Sequence, residues 1–370
     1  MTPNQLLYYV AIGLIPGIGC TLAKRLIAYC GSAEAVFREK KLILQKIPGI
    51  GEILAREIVY QKVLSSAEQE LAFVEKEQIS AICYTDDNYP ERLRQCEDGP
   101  IVLFVKGNIY PKYPKILSVV GTRNATPYGT EWCETIISQL SEQGYAPLIV
   151  SGLAYGVDIC AHRAALKNNL PTIAVMATGL DKIYPALHRA TAAKIVEQNG
   201  ALVTDFLSKT EPDRQNFLRR NRIIAGLADA TLVVESGEKG GALVTAEMAI
   251  SYNRDVLALP GRINDIYSRG CNVLIRNNKA ALVETVSDIE YALGWESVAQ
   301  SKQEKQLSFF IPLSEEEQLV VDALRKVDAE NIDILCYATK ISMSRLSALL
   351  FRLEMNGVVK SLPGKRYMLK

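Results

Sequence analysis

The chain has 370 residues, 48% of them hydrophobic and 22% charged, and its 42 lysines and arginines face 41 aspartates and glutamates for a formal net charge of +1. That composition excludes a wholly disordered polymer, and the length exceeds the roughly 100 to 150 residues typical of one domain, so two or three domains are expected. A net charge near zero neither requires nor excludes a polyanionic partner, so charge has to be read segment by segment.

Residues 1–80 are predicted to form a small helical domain that opens with a repeat. Ile15-Pro-Gly-Ile-Gly19 followed by Leu22-Ala-Lys-Arg-Leu-Ile27 recurs 32 residues later as Ile47-Pro-Gly-Ile-Gly51 followed by Leu54-Ala-Arg-Glu-Ile-Val59. Pro-Gly-x-Gly makes a tight hairpin because glycine reaches positive φ freely, and the apolar spacing after it suits an amphipathic helix. Over residues 5 to 60 each copy resembles a helix-hairpin-helix unit. The resemblance implies either a phosphate grip on the hairpin N–H groups or a helical packing module without DNA contact. Lys24 and Arg25 suit phosphate in the first copy, whereas Glu52, Arg56 and Glu57 make the second poorly suited. A helical stretch is expected over 61–80, then turns at Tyr84 to Pro90 and the apolar run Ile101 to Val105, within a linker or docking segment that ends near Pro114.

Across 81–295, β-branched runs alternate with longer helical patterns: Ile116 to Val120, Leu148 to Ser151, Thr172 to Ala177, Ala201 to Val203, Thr231 to Glu235 and Val256 to Leu259. Such alternation predicts parallel strands with crossover helices on both faces, an α/β fold with an extended Rossmann-like, doubly wound sheet. The loops after these runs hold Gly121-Thr122-Arg123, Gly152, Gly179 to Lys182, Asp205-Phe206, Lys239-Gly240-Gly241 and Gly261-Arg262. In open α/β sheets the carboxyl ends of the strands form the ligand crevice, and glycines there let backbone approach a phosphate. A second ingredient is the helix predicted near Arg214. Asp213 to Arg222 holds four arginines and one aspartate around Phe217, a composition that can stack bases while holding phosphates. The alternative is that Phe217 is core and the arginines form a solvated face.

Glu296 to Gln306 is polar and aperiodic, and 296–311 is read as a linker. A further domain is expected over 312–370, with a capping-box pattern at Ser314 to Glu317, helices over about 315 to 326, 330 to 339 and 343 to 355, and two short strands around Pro363-Gly364. Three helices and a hairpin resemble a winged helix. From Lys340 to Lys370 seven basic residues face one acidic residue, a balance that would let the third helix meet duplex DNA. Winged helices also serve as protein-interaction modules, and Glu315, Glu316 and Glu317 on the first helix would repel phosphate if they faced it.

Val119-Val-Gly-Thr-Arg123, Tyr128-Gly129, Ser151-Gly-Leu-Ala-x-Gly-Val-Asp158, Ala161-His162, Gly179-Leu-Asp-x-x-Tyr-Pro185, Phe217 to Ile224 and Leu259-Pro-Gly261 together resemble the bacterial DNA-processing protein A family, also called Smf. The match runs in order over about residues 85 to 285. It implies an extended Rossmann domain that binds single-stranded DNA, forms a homodimer and loads the recombinase RecA in natural transformation. It further implies that Arg123 binds phosphate, that Lys182 and Lys239 complete a basic pocket, that Arg214 stands where some members carry lysine, that Phe217 stacks a base, and that Arg220, Asn221 and Arg222 match an RNR motif. With Gly121, Gly152, Gly240 and Gly241 these residues are the expected DNA contacts. Glu238 to Ala242 departs from the serine-glycine-serine usual in the family.

Glycine-rich loops on this fold also serve enzymes. A dinucleotide-binding fingerprint would need G-x-G-x-x-G after the first strand, and Gly121 to Thr126 lacks it. Closer is the nucleoside-monophosphate phosphoribohydrolase family. Gly240-Gly241 and Glu247 keep its glycine-to-glutamate separation, with Arg219 and Arg220 upstream, but the threonine is displaced to Thr245 and the third glycine is absent. Distant kinship of fold without the chemistry is the preferred reading, so no catalytic residue is assigned. Asp158 and His162, four residues apart, read as a helix-capping carboxylate and a hydrogen-bonded histidine, since no nucleophile accompanies them. The eight cysteines (Cys20, Cys30, Cys83, Cys96, Cys133, Cys160, Cys271 and Cys336) form no CxxC pair or zinc-spaced cluster. No metal and no cofactor are expected, and no reactive thiol is indicated at Cys271. Met1 to Gln5 lacks a basic leader ahead of an apolar stretch, and no run of about 18 uncharged apolar residues occurs. A reducing, cytoplasmic setting without membrane contact follows as the expectation.

Overall fold

The alternating runs between 116 and 258 become the middle of a nine-stranded sheet in a computed structural model of the protein, which describes residues 3–295, 313–325, 327, 330–362 and 366–369. In chain order the strands are β1 Ser80–Cys83, β2 Val102–Gly107, β3 Ile116–Val120, β4 Leu148–Ser151, β5 Thr172–Val175, β6 Ala201–Thr204, β7 Ala230–Val233, β8 Asp255–Ala258 and β9 Ala281–Leu282. They lie in the order β1-β2-β6-β5-β4-β3-β7-β8-β9. Every pair from β6 to β9 is parallel, while β1–β2 and β2–β6 are antiparallel. Strands β3 to β7 are buried throughout, which is why they read as near-continuous apolar runs rather than alternating ones. Helices Pro127–Glu142 and Val157–Lys167 cover one face, and Arg214–Leu227 and Gly241–Ser251 cover the other, each burying an apolar stripe. The order reverses at β3, between β4 and β7, the place where doubly wound sheets bind ligands.

Two features differ from the sequence expectation. Segment 81–114 is not a linker: β1 and β2 extend the sheet, with Val105 opposite Val203 and Phe104 opposite Thr204. The expected helix over 61–80 ends at Lys76, and β1 begins at Ser80.

Chain contacts divide the protein into two units, 1–301 and 302–370. The amino-terminal helices belong to the first unit, because Ile12, Leu26, Phe37 and Ile58 share one core with Cys83, Val102 and Phe104 of β1 and β2. The two hairpins pack reciprocally: Gly17 faces Leu54 of the second copy, and Gly49 faces Leu22 of the first. Their cations are consumed in packing. Lys24 Nζ donates to the carbonyls of Cys96 and Glu97 at 2.9 and 3.0 Å, Arg25 donates to Pro48 O at 2.8 Å, and Glu52 pairs with Lys41. With both cations engaged, the repeat presents neither Lys24 nor Arg25 as an unengaged partner for a phosphate.

In the second unit, helices Glu315–Leu324, Ile332–Thr339 and Met343–Met355 enclose a core of Val320, Leu335, Leu346, Leu350 and Leu353. Strands β10 Glu330–Asn331, β11 Val359–Leu362 and β12 Arg366–Leu369 form an antiparallel sheet, completing a winged helix. The linker expected over 296–311, Pro312 and the Pro363-Gly364 turn lie outside the described residues. Among the described residues no single helix is long and apolar enough to cross a membrane.

Candidate nucleic-acid interface

Glutamate 235 closes the switch point itself. Thr122 N–H donates to Glu235 O at 2.7 Å, and the buried Glu235 carboxylate takes the N–H of Thr126 at 2.9 Å together with the Thr126 hydroxyl. The open space beside it, about 920 Å³, is lined by Glu235, Asp265 and Glu284 against Arg262, the wrong balance for a phosphate. The basic and aromatic groups gather instead toward β4 and β5.

Arg123, in the loop after β3, is exposed and lays its guanidinium over the Phe217 ring, 4.8 Å from the centroid. Phe217 stands in the second turn of the helix Arg214–Leu227, half-buried, with Tyr184 against it at 5.8 Å between centroids. Asp213 caps that helix by accepting from Gln215 N–H at 2.8 Å, which leaves Arg214 exposed at the first position. Phe217 is thus neither core nor isolated: the Arg123 and Arg220 guanidinium groups lie 4.8 and 5.9 Å from its centroid, and part of the residue stays exposed.

The RNR segment behaves differently. Arg220 is 3% exposed and donates to Gly152 O at 2.7 Å and to Val175 O, holding the ends of β4 and β5 together. A Cβ at Gly152 would meet the guanidinium at about 2.5 Å and displace it from these carbonyls. Burial pushes the Arg220 pKa down to about 10, opposed by nearby Asp158, so it stays charged at neutral pH. Asn221 accepts from Arg220 Nε at 3.2 Å. Arg222, 8% exposed, pairs with Asp205 and donates to Asp98 O. The expectation that Arg220 and Arg222 touch DNA is therefore corrected: both are spent on carbonyls and carboxylates inside the protein, and they shape the rim without facing it.

Of the other expected contacts, Gly121 directly follows β3, and Gly240 precedes the helix Gly241–Ser251, whose first residue Gly241 is exposed. A helix amino terminus is where backbone N–H groups can meet an anion. Lys239 is exposed, while Lys182 is tied to Glu211, a partner that the basic-pocket pattern did not reveal. Glu238 faces Arg269 at 3.8 Å. Tyr184, quoted in a motif but not singled out, proves to be Phe217's neighbour; its signal was an aromatic in a loop at a strand's carboxyl end.

Asp158 is buried and accepts from Gly152 N–H at 3.1 Å and Ala154 N–H at 3.4 Å. It caps the loop after β4, not its own helix, whose cap is Gly156. Burial raises its pKa, against Arg220 and those N–H donors. His162 is wholly buried, bonded through Nδ1 to Thr172 Oγ1 at 2.7 Å, and burial lowers its pKa to about 3. The phosphoribohydrolase-like constellation does not assemble: Glu247 is exposed and paired with Lys279 at 2.6 Å, Arg219 lies over Phe206, and Arg220 is buried. Cys271 is buried with its thiol pushed up to about 12, and it is Asn272 that clamps Gly261, at 2.9 and 3.1 Å.

On the second unit, Arg345 is held by Glu316 and Arg352 by Glu317, at 2.9 and 3.3 Å. Lys340, Lys360 and Arg366 have no ion-pair partner among the described residues.

A family model described as DNA recombination-mediator protein A matches residues 80–294, and one described as the DprA winged helix domain matches 311–365. Protein Smf of Synechocystis is 30% identical over 99% of this chain and 99% of its own length. The X-ray structure of DNA processing protein A from Streptococcus pneumoniae superposes with a TM-score of 0.66 at 30% identity, covering 80% of this chain and 99% of that one. For the Helicobacter pylori protein, whose structure is described as giving insight into its single-stranded DNA binding mode, the TM-score is 0.51 at 29% identity over 58% and 95%. With its sheet, its winged helix and nearly its whole length matched, this chain belongs to the DNA-processing protein A family, DprA/Smf.

Proposed function

We propose that the protein binds single-stranded DNA along the rim formed by the β3, β4, β5 and β7 loops, without catalysis. The observation that carries this reading is the exposed Arg123 guanidinium over a partly buried Phe217. A cation that can hold a phosphate stands beside a ring that can take a base, the pairing that sequence-tolerant strand binders use. Arg214, Lys239 and the amino terminus of the helix Gly241–Ser251 extend the positive path. The likeness to the Helicobacter pylori protein supports the same ligand. By family resemblance we extend the proposal to DNA uptake in the cytoplasm, with RecA as the recipient of the strand and a homodimer as the working form. Residues 1–80, 81–295 and 312–370 are proposed as its domains. Duplex contact, if made by the winged helix, belongs on Lys360 and Arg366 of the wing rather than on its third helix, whose two arginines are neutralised.

Equilibrium titration with an oligothymidylate at several salt concentrations tests the reading. Arg123→Glu should weaken binding about tenfold or more and reduce the salt slope by roughly 0.7, the value for one lost phosphate contact on a single strand. Lys239→Glu should act in the same direction, and Lys182→Glu less, since Glu211 already offsets that charge. Wild-type affinity in all three across salt would remove the rim from consideration.

A further inference from the structure

Tyrosine 155 lies on the loop after β4 and is 45% exposed, with no hydrogen bond from its hydroxyl among the described residues. Its ring stands edge-on to the His188 ring, centroids 5.0 Å apart at 68°. His188 is itself 2% exposed and bonded through Nδ1 to Leu153 O at 2.8 Å. The support under Tyr155 is therefore a fixed interior group. The next residue, Gly156, has φ +74° and lies directly against the carbonyls of Thr122 and Arg123, and Val157 N–H donates to Thr122 O at 3.2 Å. The loop that carries Tyr155 is thus fastened to the backbone of Arg123, whose guanidinium lies over Phe217. The His188 contact accounts for the position of the ring, and it leaves 45% of the residue exposed to a further partner.

We propose that Tyr155 is a second base platform, so that the phosphate held by Arg123 joins two nucleotides, one base resting on Phe217 and the other on Tyr155. This rests on the single-strand reading of the rim and adds a subsite to it. Stacking tolerates every base because each has a π face, and it releases no counterion. Tyr155 then contributes affinity that salt does not erode, while Arg123 contributes the part that salt does erode.

The same oligothymidylate titration separates the two. Tyr155→Ala should weaken binding about tenfold, within the range for one stacked base, with the salt slope unchanged, and Tyr155→Phe should restore wild-type affinity. In Tyr155→Trp the new indole should be quenched at saturation. Tyr155→Ala binding within about twofold of wild type, while Arg123→Glu is impaired, would overturn the platform and leave the rim standing; so would a changed salt slope. Should the alanine variant fold poorly, an unquenched Tyr155→Trp at saturation overturns it instead. Equal binding by wild type and by Arg123→Glu, Lys239→Glu and Lys182→Glu alike would remove the rim reading and this subsite with it.

Discussion

The helix Arg214–Leu227 at the rim and the helix Met343–Met355 of the winged helix both look, by charge, like surfaces for nucleic acid. Their arginines meet different fates. At the rim, Arg123 and Arg214 have no carboxylate partner among the described residues, and the arginines that do, or that bind carbonyls, lie beneath them in the interior. On the winged helix, Arg345 and Arg352 are on the surface yet held by Glu316 and Glu317 of the first helix. A count of basic residues gives the first helix four and the second two, and a count of those without a carboxylate or carbonyl partner among the described residues gives Arg214 and Arg219 against none. What a polyanion meets is the second count, because a cation already paired must give up its partner before it releases a counterion.

Removing Arg220 presses this comparison hardest, since it asks whether buried and exposed arginines of one helix do different work. Arg220→Ala leaves the carbonyls of Gly152 and Val175 without a donor and Asp158 without its nearby cation. Breaking a buried charge of this kind costs about 3 to 5 kcal/mol, and urea unfolding should show that loss. Arg214→Ala, at an exposed first-turn position, should leave stability within about 0.5 kcal/mol. If the two variants unfold alike, the division into framework and ligand-facing arginines is wrong.

Acid should separate the regions next, because the sheet-containing unit holds the buried His162 and the described winged helix contains no histidine. The folded-state pKa of His162 is about 3, below the about 6.5 of an unfolded histidine. Its contribution is fully present above pH 6.5 and is lost as the pH falls, because the unfolded chain takes a proton that the native one refuses down to about pH 3. Linkage sets that loss at about 1.4 kcal/mol per pH unit, or roughly 2 kcal/mol between pH 6.5 and 5. His162→Gln should flatten the stability profile in that window. An unchanged slope would mean that the native ring is protonated after all.

Much of this architecture was legible beforehand, and the illegible parts have a common physical cause. The strands from β3 to β8 announce themselves because full burial makes each an uninterrupted apolar run between turn residues. Arg220 and Arg222 did not reveal their burial, since patterning counts arginine as surface and nothing local encodes a carbonyl pair supplied by Gly152 and Val175 from other strands. β2 was visible as an apolar run but not as a strand of the main sheet: its partner β6 lies about 100 residues away, and pairing at that distance leaves no mark on either segment. β9, with two residues, is too short to carry a period. The contacts that neutralise Lys182, Lys24 and Arg345 were hidden for the same reason, as each partner comes from elsewhere in the chain.

The smallest effect tests the winged-helix side directly. Glu316→Gln releases Arg345, an exposed residue whose pKa Glu316 holds above its ordinary value. Exposed pairs are weak, so duplex affinity at low salt should rise only roughly two- to fivefold and single-strand affinity not at all. Raising the salt should erase the gain, because screening acts on just such surface charge. A gain of an order of magnitude or more would show the third helix to be a duplex surface restrained by its own first helix. No gain, together with a loss in Arg366→Glu, would put the duplex contact on the wing, where the cations are already unpaired.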